Sequence, residues 1–335
     1  MEVFFLDVAQ GTCQVVLLGS RRAIIIDCGL VDDLLLVNFL HRSGVQEIDC
    51  LVISHSHDDH LGGGLSILGA YQDRIKKICF VQDDKFLNTP FWARLSELLK
   101  SFRIRSEQLT RLESTEEPQL VWQDNLHHAR LRTYSPSCAE NLIAQSRGQQ
   151  NATSAILILD AHSSRIVFGA DSEVEQWREI HRKNGRTDCD LLAVPHHAGK
   201  MHNDKEDLEW FLDHGVSMSA GIVSVGTANQ HGHPREDVIK NMTARGIKVL
   251  CTQVTKRCVS NLEAMRPGVL NPVVHLGRAS AKRDLTSSGH SRNVACAGTI
   301  CALISDQGIH IDRLDEHQLA VDKLASLSGC SPLCR

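Results

Sequence analysis

The sequence predicts an α/β fold in which helices pack outside β layers. In both halves of the chain, short β-rich segments lead into segments with apolar residues at helical spacing. A histidine- and aspartate-rich stretch at residues 53–64 follows a buried apolar run and predicts where the functional site lies. The 335 residues suffice to bury a large core, as one big domain or two small ones.

The N-terminal half predicts a sheet that begins with a hairpin and continues into alternating strands and helices. The predicted strands are residues 3–8, 14–18, 23–27, 51–53 and 77–81. The predicted helices are residues 32–42, 64–71 and 89–101, the last with proline near its start. Residues 103–128 have a mixed pattern that predicts no element.

The C-terminal half repeats this order and ends in a separate segment. The predicted strands are residues 155–160, 165–169, 191–194, 220–225 and 248–251, and the predicted helices are residues 173–183 and 235–245. Residues 252–293 are rich in Ser, Arg, Gly and Pro, which predicts a long insertion. A closing hairpin at 299–311 completes a predicted domain of residues 1–312, and residues 313–335 are predicted to form a helix and tail.

Composition narrows the class of protein. No signal-peptide pattern and no apolar run near the roughly 20 residues of a membrane span are present, so we expect a cytoplasmic protein without a membrane partner. The net charge of −4 argues against a constitutively basic nucleic-acid binder but leaves a local basic patch open. Twelve scattered cysteines indicate reduced, buried thiols. Cys251, Cys258, Cys296 and Cys301 leave a structural zinc site open, although their spacing favours separate thiols.

The stretch at residues 53–64 carries the strongest chemical signal. His55, His57, Asp59 and His60 fall within six residues, and imidazole and carboxylate groups are common ligands of zinc and similar ions. Alternation along the extended end of the strand places His55 and His57 on one side. The chain then turns, so Asp59 and His60 can face a second position. One short loop therefore predicts ligands for two metals.

Other polar residues follow predicted strands further along the chain. Asp171 comes after the strand at 165–169 and is either a carboxylate that bridges two ions or a helix cap. His196 and His197 follow the strand at 191–194, and a histidine pair there favours metal ligation. Asn229 and His233 lie in a loop after the next strand, where they either contact substrate or belong to a turn.

These motifs resemble the metallo-β-lactamase superfamily and, more narrowly, the metallo-hydrolase domain of ComEC-type competence proteins. The resemblance rests on the His-x-His-x-Asp-His loop and on shorter matches in the same order. Those matches are residues 5–11, 26–29, 151–154, 169–171, 194–197 and 224–234. It implies a four-layer αββα sandwich with two divalent ions, Zn²⁺ or Mn²⁺, at one edge between the sheets.

The resemblance also implies a role for each matching residue. His55, His57 and Asp171 would hold the first ion, and Asp59, His60 and His196 the second, with Asp171 shared. Many superfamily members have a further histidine where this chain has residues 151–154, which implies an open and weaker first site. The remaining assignments are catalytic Asp59 and His233, substrate-binding Asn229 and His197, and the ligand-orienting residues Asp7, Gln10 and Asp27.

The function that follows is hydrolysis with two metals. We expect a phosphodiesterase or nuclease that acts on DNA or possibly RNA, perhaps as an effector in a bacterial defence system. Its surface is mildly acidic, so a partner protein would supply targeting or regulation. Two alternatives stay open: a small-molecule hydrolase for lactones, esters or phosphocholine-type esters, and a non-catalytic subunit that keeps the fold for assembly.

Overall fold

A computed structural model describes residues 1–19, 21–30, 34–201, 205–227, 229–260, 294–312 and 314–335. Most of the predicted insertion, residues 261–293, lies outside the described residues, as do residues 32 and 33 of the first predicted helix. Within the described parts, eight strands form one mixed sheet and seven form a second.

Most strands fall close to the predicted positions. In chain order they are β1 Glu2–Phe5, β2 Gln14–Leu17, β3 Arg22–Ile26, β4 Glu47–Ile53, β5 Ile78–Phe80, β6 Leu109–Arg111, β7 Gln119–Asp124, β8 Ala129–Ser135, β9 Ile156–Ala161, β10 Ser164–Phe168, β11 Thr187–Ala193, β12 Val216–Val223, β13 Lys248–Cys251, β14 Ile300–Ser305 and β15 Gly308–Ile311. The first sheet has the order β15-β14-β1-β2-β3-β4-β5-β6, and the second has the order β13-β12-β11-β10-β9-β8-β7.

The helices cover the outer faces of the sheets. They are α1 Leu35–Arg42, α2 Asp58–Leu61, α3 Gly64–Tyr71, α4 Pro90–Lys100, α5 Cys138–Ser146, α6 Val174–Asn184, α7 Lys205–Trp210, α8 Glu236–Ala244 and α9 Leu314–Ala325. Helix α4 begins at Thr89, whose hydroxyl accepts a hydrogen bond from the Trp92 amide, with Pro90 at the first helical position. In the part of the chain that the structure describes, no helix has the length and apolarity to cross a membrane.

Three apolar layers separate four layers of secondary structure. Phe5, Leu157 and Phe168 belong to the layer between the two sheets. Phe39 represents the layer between the first sheet and its helices, and Trp177 represents the layer between the second sheet and its helices. Burial of both faces of each sheet explains why several strands are apolar without alternation. The predicted αββα sandwich is confirmed.

The strands that carry polar residues all end at one edge of the sandwich. In the first sheet β3 and β4 are parallel, and in the second sheet β10, β11 and β12 are parallel. Parallel neighbours place their carboxyl ends side by side, and ligands bind beyond such ends in open α/β sheets. The loops after these five strands therefore meet across the gap between the sheets.

Candidate metal centre

The metal-binding loop after β4 is held by backbone hydrogen bonds from two earlier loops. The Thr12 amide donates to the Asp59 carbonyl oxygen at 2.9 Å, and the Cys28 amide donates to the His60 carbonyl oxygen at 2.6 Å. Gly11 has a φ of +129°, and a Cβ there would lie 2.6 Å from the Asp59 oxygen. A residue with a side chain would displace the loop, so glycine is required at this close approach.

The first cluster of possible ligands consists of His55, His57 and Asp171. One ligand atom from each lies within 4.8 Å of the others. His55 is fully buried, and among the described residues its Nε2 has no hydrogen-bond partner, although Asp171 Oδ2 is 3.9 Å away. A buried nitrogen without a partner is costly unless it binds a cation. His57 is half-buried, and its Nε2 lies 2.8 Å from Gln150 Oε1.

The second cluster consists of Asp59, His60 and His197, again within 4.8 Å of one another. Asp27 Oδ2 lies 2.7 Å from Nδ1 of His60, and the same carboxylate accepts from the amide and the hydroxyl of Ser54, each at 2.7 Å. A carboxylate behind a histidine fixes the ring and leaves the opposite nitrogen for a metal. Asp27 thus lies where its predicted orienting role requires.

Asp171 stands between the two clusters. Its Oδ2 faces His55 at 3.9 Å, and its Oδ1 lies 3.1 Å from Nε2 of His60 and 3.7 Å from Nε2 of His197. The carboxylate follows β10 through Gly169 and Ala170, and Ala170 has a left-handed φ of +45°. Each oxygen therefore points to a different cluster, which is the geometry of a bridging ligand.

The structure places His197, rather than His196, in the second cluster. His197 Nε2 lies 3.3 Å from Asp59 Oδ2, and Nδ1 lies 2.8 Å from the Ser224 carbonyl oxygen. His196 instead faces the first cluster, with Nε2 4.0 Å from Asp171 Oδ2 and 3.3 Å from Asn151 Nδ2. Adjacent histidines point apart because both have φ of +53° in a tight left-handed turn.

The loop after β12 brings His233 against the histidine pair. Its ring centroid lies 5.4 Å from that of His196 and 5.9 Å from that of His197. The side-chain amide of Asn229 is engaged in hydrogen bonds within the loop. Its Nδ2 donates to the Gly226 and His233 carbonyl oxygens at 2.7 and 2.9 Å. Its Oδ1 accepts from the His233 amide at 3.0 Å. Asn229 therefore positions His233, although it also lines the cleft.

The two remaining predicted residues lie apart from each other. Gln10 lines the cleft, and its Oε1 is buried with no partner among the described residues. Asp7 is fully buried, and its Oδ1 accepts from Gln253 Nε2 at 2.6 Å and from the Ala9 amide at 3.3 Å. Asp7 thus braces the turn that leads to Gln10 rather than lining the cleft.

The electrostatics of the second cluster are dominated by opposite charges. Burial opposes ionisation of Asp59 and Asp171, but His60 and His197 hold the pKa of both carboxyls below the ordinary value. Burial, the largest single influence, opposes protonation of the two histidines, but Asp171 together with Asp27 raises the pKa of His60, and Asp171 together with Asp59 raises the pKa of His197. By contrast, burial lowers the pKa of His55. A divalent cation would replace the protons on the second cluster, so loading releases protons.

Three residues near the site were missed from the sequence. The Ser54 hydroxyl donates to Asp27, which supports His60 of the second cluster, and it lies 3.1 Å from Nδ1 of His55 in the first cluster. Ser54 therefore links the two clusters. Gln150 contacts His57 and accepts from Lys85 Nζ at 2.7 Å. Lys85 and Gln150 lie in loops without a motif, 65 positions apart, so spacing offered no signal for them. Ser54 could have been predicted from the sequence, since it directly precedes His55.

Both clusters open into one cleft of about 590 Å³. The described residues that line it include His57, Asp59, Asp171, His197 and His233, and none of them is a lysine or arginine. With neither lysine nor arginine among the described lining residues, cations held by the two clusters would supply the attraction for an anion. Imidazole and carboxylate donors in two adjacent groups fit a pair of divalent ions.

A family model described as "Anti-Pycsar protein Apyc1" matches residues 10–212, which is more than half of the chain and contains every residue of both clusters. The chain belongs to the Anti-Pycsar protein Apyc1 family. The match ends before the loop that carries His233, so that loop and the cysteine-rich C-terminal part lie beyond the matched residues.

Two curated relatives extend the similarity beyond this family. ComE operon protein 3 of Bacillus subtilis (strain 168) is 20% identical over 269 residues, 75% of this chain and 32% of that protein. Competence protein ComA of Neisseria gonorrhoeae is 26% identical over 253 residues, 74% of this chain and 30% of that protein. This chain thus spans about a third of the length of the curated relatives it matches. The predicted resemblance to competence proteins is confirmed.

Solved structures include the metallo-β-lactamase fold protein YhfI from Bacillus subtilis, with a TM-score of 0.43 and 11% identity. The match covers 75% of this chain and 95% of YhfI. The two mixed sheets of this Apyc1-family chain, with helices on their outer faces, match the metallo-β-lactamase fold. Its two His/Asp clusters are suited to a binuclear metal centre.

Proposed function

We propose that the chain is a phosphodiesterase that uses two divalent ions, Zn²⁺ or Mn²⁺. One observation carries the proposal: two three-residue His/Asp clusters lie side by side, with one oxygen of Asp171 facing each. Paired ions of this kind stabilise the attacking and leaving oxygens of a phosphoryl displacement. A non-catalytic role would not require His55 to keep a buried, unpartnered nitrogen.

For the substrate we propose a cyclic nucleotide. The cleft of about 590 Å³ matches the several hundred cubic ångströms typical of small-molecule sites. A cyclic nucleotide carries one phosphodiester, whose single charge the two ions can neutralise without help from lysine or arginine. The description of the family as anti-Pycsar supports the same proposal, which links this chain to cyclic nucleotide signals of a defence system.

The DNA or RNA substrate predicted from the sequence is the second candidate, and the similarity to competence proteins supports it. Binding a nucleic-acid polymer requires several phosphates to be neutralised by lysine and arginine. The described lining of the cleft has neither residue, and the whole chain carries a net charge of −4. A nuclease reading therefore needs a basic partner protein, whereas a cyclic nucleotide does not.

When bound, the ions would polarise the phosphate and activate a water molecule for attack. The chain supplies the orientation. Asp59, whose Oδ2 lies 3.3 Å from His197 Nε2, would offer one carboxylate oxygen to the second ion and the other to the attacking water. Burial, with the neighbouring His197 and His196, lowers the pKa of His233 to about 4. A neutral imidazole is a hydrogen-bond donor and a poor source of protons, so we assign His233 to binding a substrate oxygen.

The test uses the purified chain of 335 residues with Mn²⁺ or Zn²⁺. The substrates are purine and pyrimidine 3′,5′-cyclic nucleotides, plasmid, single-stranded DNA, RNA, bis-p-nitrophenyl phosphate and a lactone panel. We expect cyclic nucleotides to be opened to linear nucleotides fastest, and Asp59→Ala to abolish the reaction. Asp84→Asn is the matched control, because Asp84 is an exposed carboxylate outside both clusters.

Three outcomes would overturn the proposal. Faster cleavage of plasmid, single-stranded DNA or RNA than of any cyclic nucleotide would establish a nuclease. Turnover of lactones or simple esters alone would establish a small-molecule esterase. Less than one metal ion per chain after loading, together with no cleavage of any substrate, would leave only a non-catalytic subunit.

A further inference from the structure

We propose that one wall of the cleft binds the nucleobase of the substrate through Gln10, Leu30 and His231. This inference rests on the proposed function, because it concerns the part of a cyclic nucleotide that the two clusters leave unbound. All three residues line the cleft of about 590 Å³, and none of them belongs to either cluster. They offer an amide, an aliphatic side chain and an imidazole ring, which suit the edge and the faces of a base.

The wall lies next to the second cluster. A Cβ on Gly11 would lie 2.6 Å from the Asp59 carbonyl oxygen and 3.2 Å from the Leu30 amide nitrogen. A Cβ on Gly226, in the loop after β12, would lie 2.7 Å from the Gln10 amide nitrogen. The turn that carries Gln10 is therefore packed between Asp59, Leu30 and that loop. A substrate whose phosphate is held at the clusters can extend its base along this wall.

Gln10 presents a polar group that lacks a partner. Its Oε1 is buried, and no hydrogen-bond partner for this oxygen lies among the described residues. Both neighbours have a positive φ, +62° at Ala9 and +129° at Gly11, which marks a tightly constrained turn. A buried acceptor of this kind is costly until a donor reaches it. Nucleobases supply such donors along their edges, and glutamine pairs with adenine in this way.

Leu30 and His231 offer surfaces on which a flat ring can pack. Leu30 is 37% exposed and is the one aliphatic side chain among the described residues that line the cleft. The His231 ring is exposed and lies within 16° of parallel to the His233 ring, with centroids 5.7 Å apart. A single exposed leucine is ordinary on a protein surface. Together with an exposed ring and an unpartnered amide in one cleft, it favours a nucleobase, because every base has a face that stacks.

The loop that carries His231 is held on both sides of this residue. Asn229 Nδ2 donates to the His233 carbonyl oxygen at 2.9 Å, and Asn229 Oδ1 accepts from the His233 amide at 3.0 Å. The Gly232 carbonyl oxygen accepts from Arg257 Nε at 3.4 Å. A ring on a fixed backbone loses little freedom when a ligand stacks on it. His231 is therefore suited to positioning the base, whereas the neighbouring His233 is assigned to a substrate oxygen.

Two ligands that differ at the position of the base test this subsite. Adenosine 5′-monophosphate and methyl ribofuranoside 5-phosphate both carry a phosphate for the ions, and only the first carries a base. Calorimetric titration into the chain of 335 residues loaded with Zn²⁺ measures both affinities. We expect the ligand with the base to bind about 5-fold more tightly or better, as for a base stacked on one side chain.

Variants then locate the subsite. His231→Ala should weaken binding of adenosine 5′-monophosphate by about 5-fold or more, and Leu30→Ala by a smaller factor. Gln10→Met, which keeps the length of the side chain but loses the amide, should act in the same direction. None of the three should change the affinity for the base-free phosphate. His214→Ala and Leu126→Ala are the matched controls, because both residues are exposed and lie outside the cleft, and they should change neither affinity.

The outcomes separate this subsite from the proposed function. Equal affinity of the unaltered chain for the two ligands, or no binding of either, would overturn the subsite. A preference for adenosine 5′-monophosphate that survives all three variants would place the base elsewhere and overturn it too. If the variants lose the preference but the unaltered chain cleaves no cyclic nucleotide, the subsite stands and the phosphodiesterase proposal fails. Cleavage of cyclic nucleotides with an unchanged KM in His231→Ala would leave the proposed function standing and refute the subsite.

Discussion

The two His/Asp clusters differ in how their ligands are supported. In the second cluster, His60 and His197 each place Nδ1 on a buried acceptor, the Asp27 carboxylate at 2.7 Å and the Ser224 carbonyl at 2.8 Å. In the first cluster, His57 is half-buried and contacts Gln150, which also binds an exposed lysine. A buried acceptor fixes a ring, whereas an exposed partner competes with water. We therefore expect the second ion to bind more tightly than the first.

The largest effect is expected at the residue that both clusters share. Asp171→Asn removes the negative charge between the two ions, so we expect neither ion to stay bound at micromolar metal. Activity should fall by more than the roughly 100-fold that loss of an outer partner costs. Metal analysis after gel filtration and turnover of the best substrate measure this. Retention of one tightly bound ion would show that Asp171 serves one cluster only.

The next effect separates the adjacent histidines. His197→Ala removes a member of the second cluster and should abolish tight binding of the second ion. His196→Ala serves as the matched change, because His196 lies 4.0 Å from Asp171 Oδ2 on the side of the first cluster. It should weaken only the weaker ion. Competition for metal with a chelator measures the affinity of each variant for the two ions. Loss of the second ion in His196→Ala but not in His197→Ala would support the ligand set predicted from the sequence.

A smaller effect is expected from the support behind His60. Asp27→Asn keeps the size of the side chain but removes the negative charge of the carboxylate. That carboxylate orients the imidazole of His60 and accepts a hydrogen bond from the Ser54 amide. Affinity for the second ion should fall about 10- to 100-fold, as for other outer-shell partners. Calorimetric titration of the metal-free chain measures it. Thermal melting in chelator tests folding separately, and an unchanged affinity with a normal melt would contradict the role.

The smallest effect is expected in the support of the first cluster. Gln150→Ala removes the partner of His57 Nε2. Because this contact is only partly buried and competes with water, affinity for the first ion should fall by less than about 10-fold. The second ion should be unaffected. If Gln150→Ala instead weakens the first ion as much as Asp27→Asn weakens the second, the two clusters are equally supported and the contrast between them fails.

Much of the fold was predictable because apolar periodicity reports burial. The helix α3 Gly64–Tyr71 was predicted with the observed bounds, and most strands were predicted within a few residues. The segment that holds β6, β7 and β8 was not predicted. In β8, Ala129, Leu131 and Thr133 alternate with two arginines, a strand pattern that was present in the sequence but overlooked. The strands β6 and β7 are short or half-exposed edge strands, and their signal is weak.

Some residues of the site were likewise predictable from the sequence, and others were not. The loop at residues 55–60 is one continuous motif, so its ligands were visible without a structure. Asp171 and the His196–His197 pair were found because polar residues follow buried strands. The sequence could not decide which histidine of the pair joins which cluster. That choice depends on left-handed backbone angles in the turn, and neither histidine encodes them on its own.

By itself, the sequence predicted helices packed outside β layers and one short loop with ligands for two metals, because local periodicity and ligands close together in the chain report these. The four-layer αββα class and the edge at which the site lies were predicted through the resemblance to the metallo-β-lactamase superfamily. Only the tertiary structure decided that Asp171 turns one oxygen to each cluster, that His197 faces Asp59, and that Cys334 meets Cys251. Contacts between residues dozens of positions apart depend on how both sheets pack, and no local pattern carries that information.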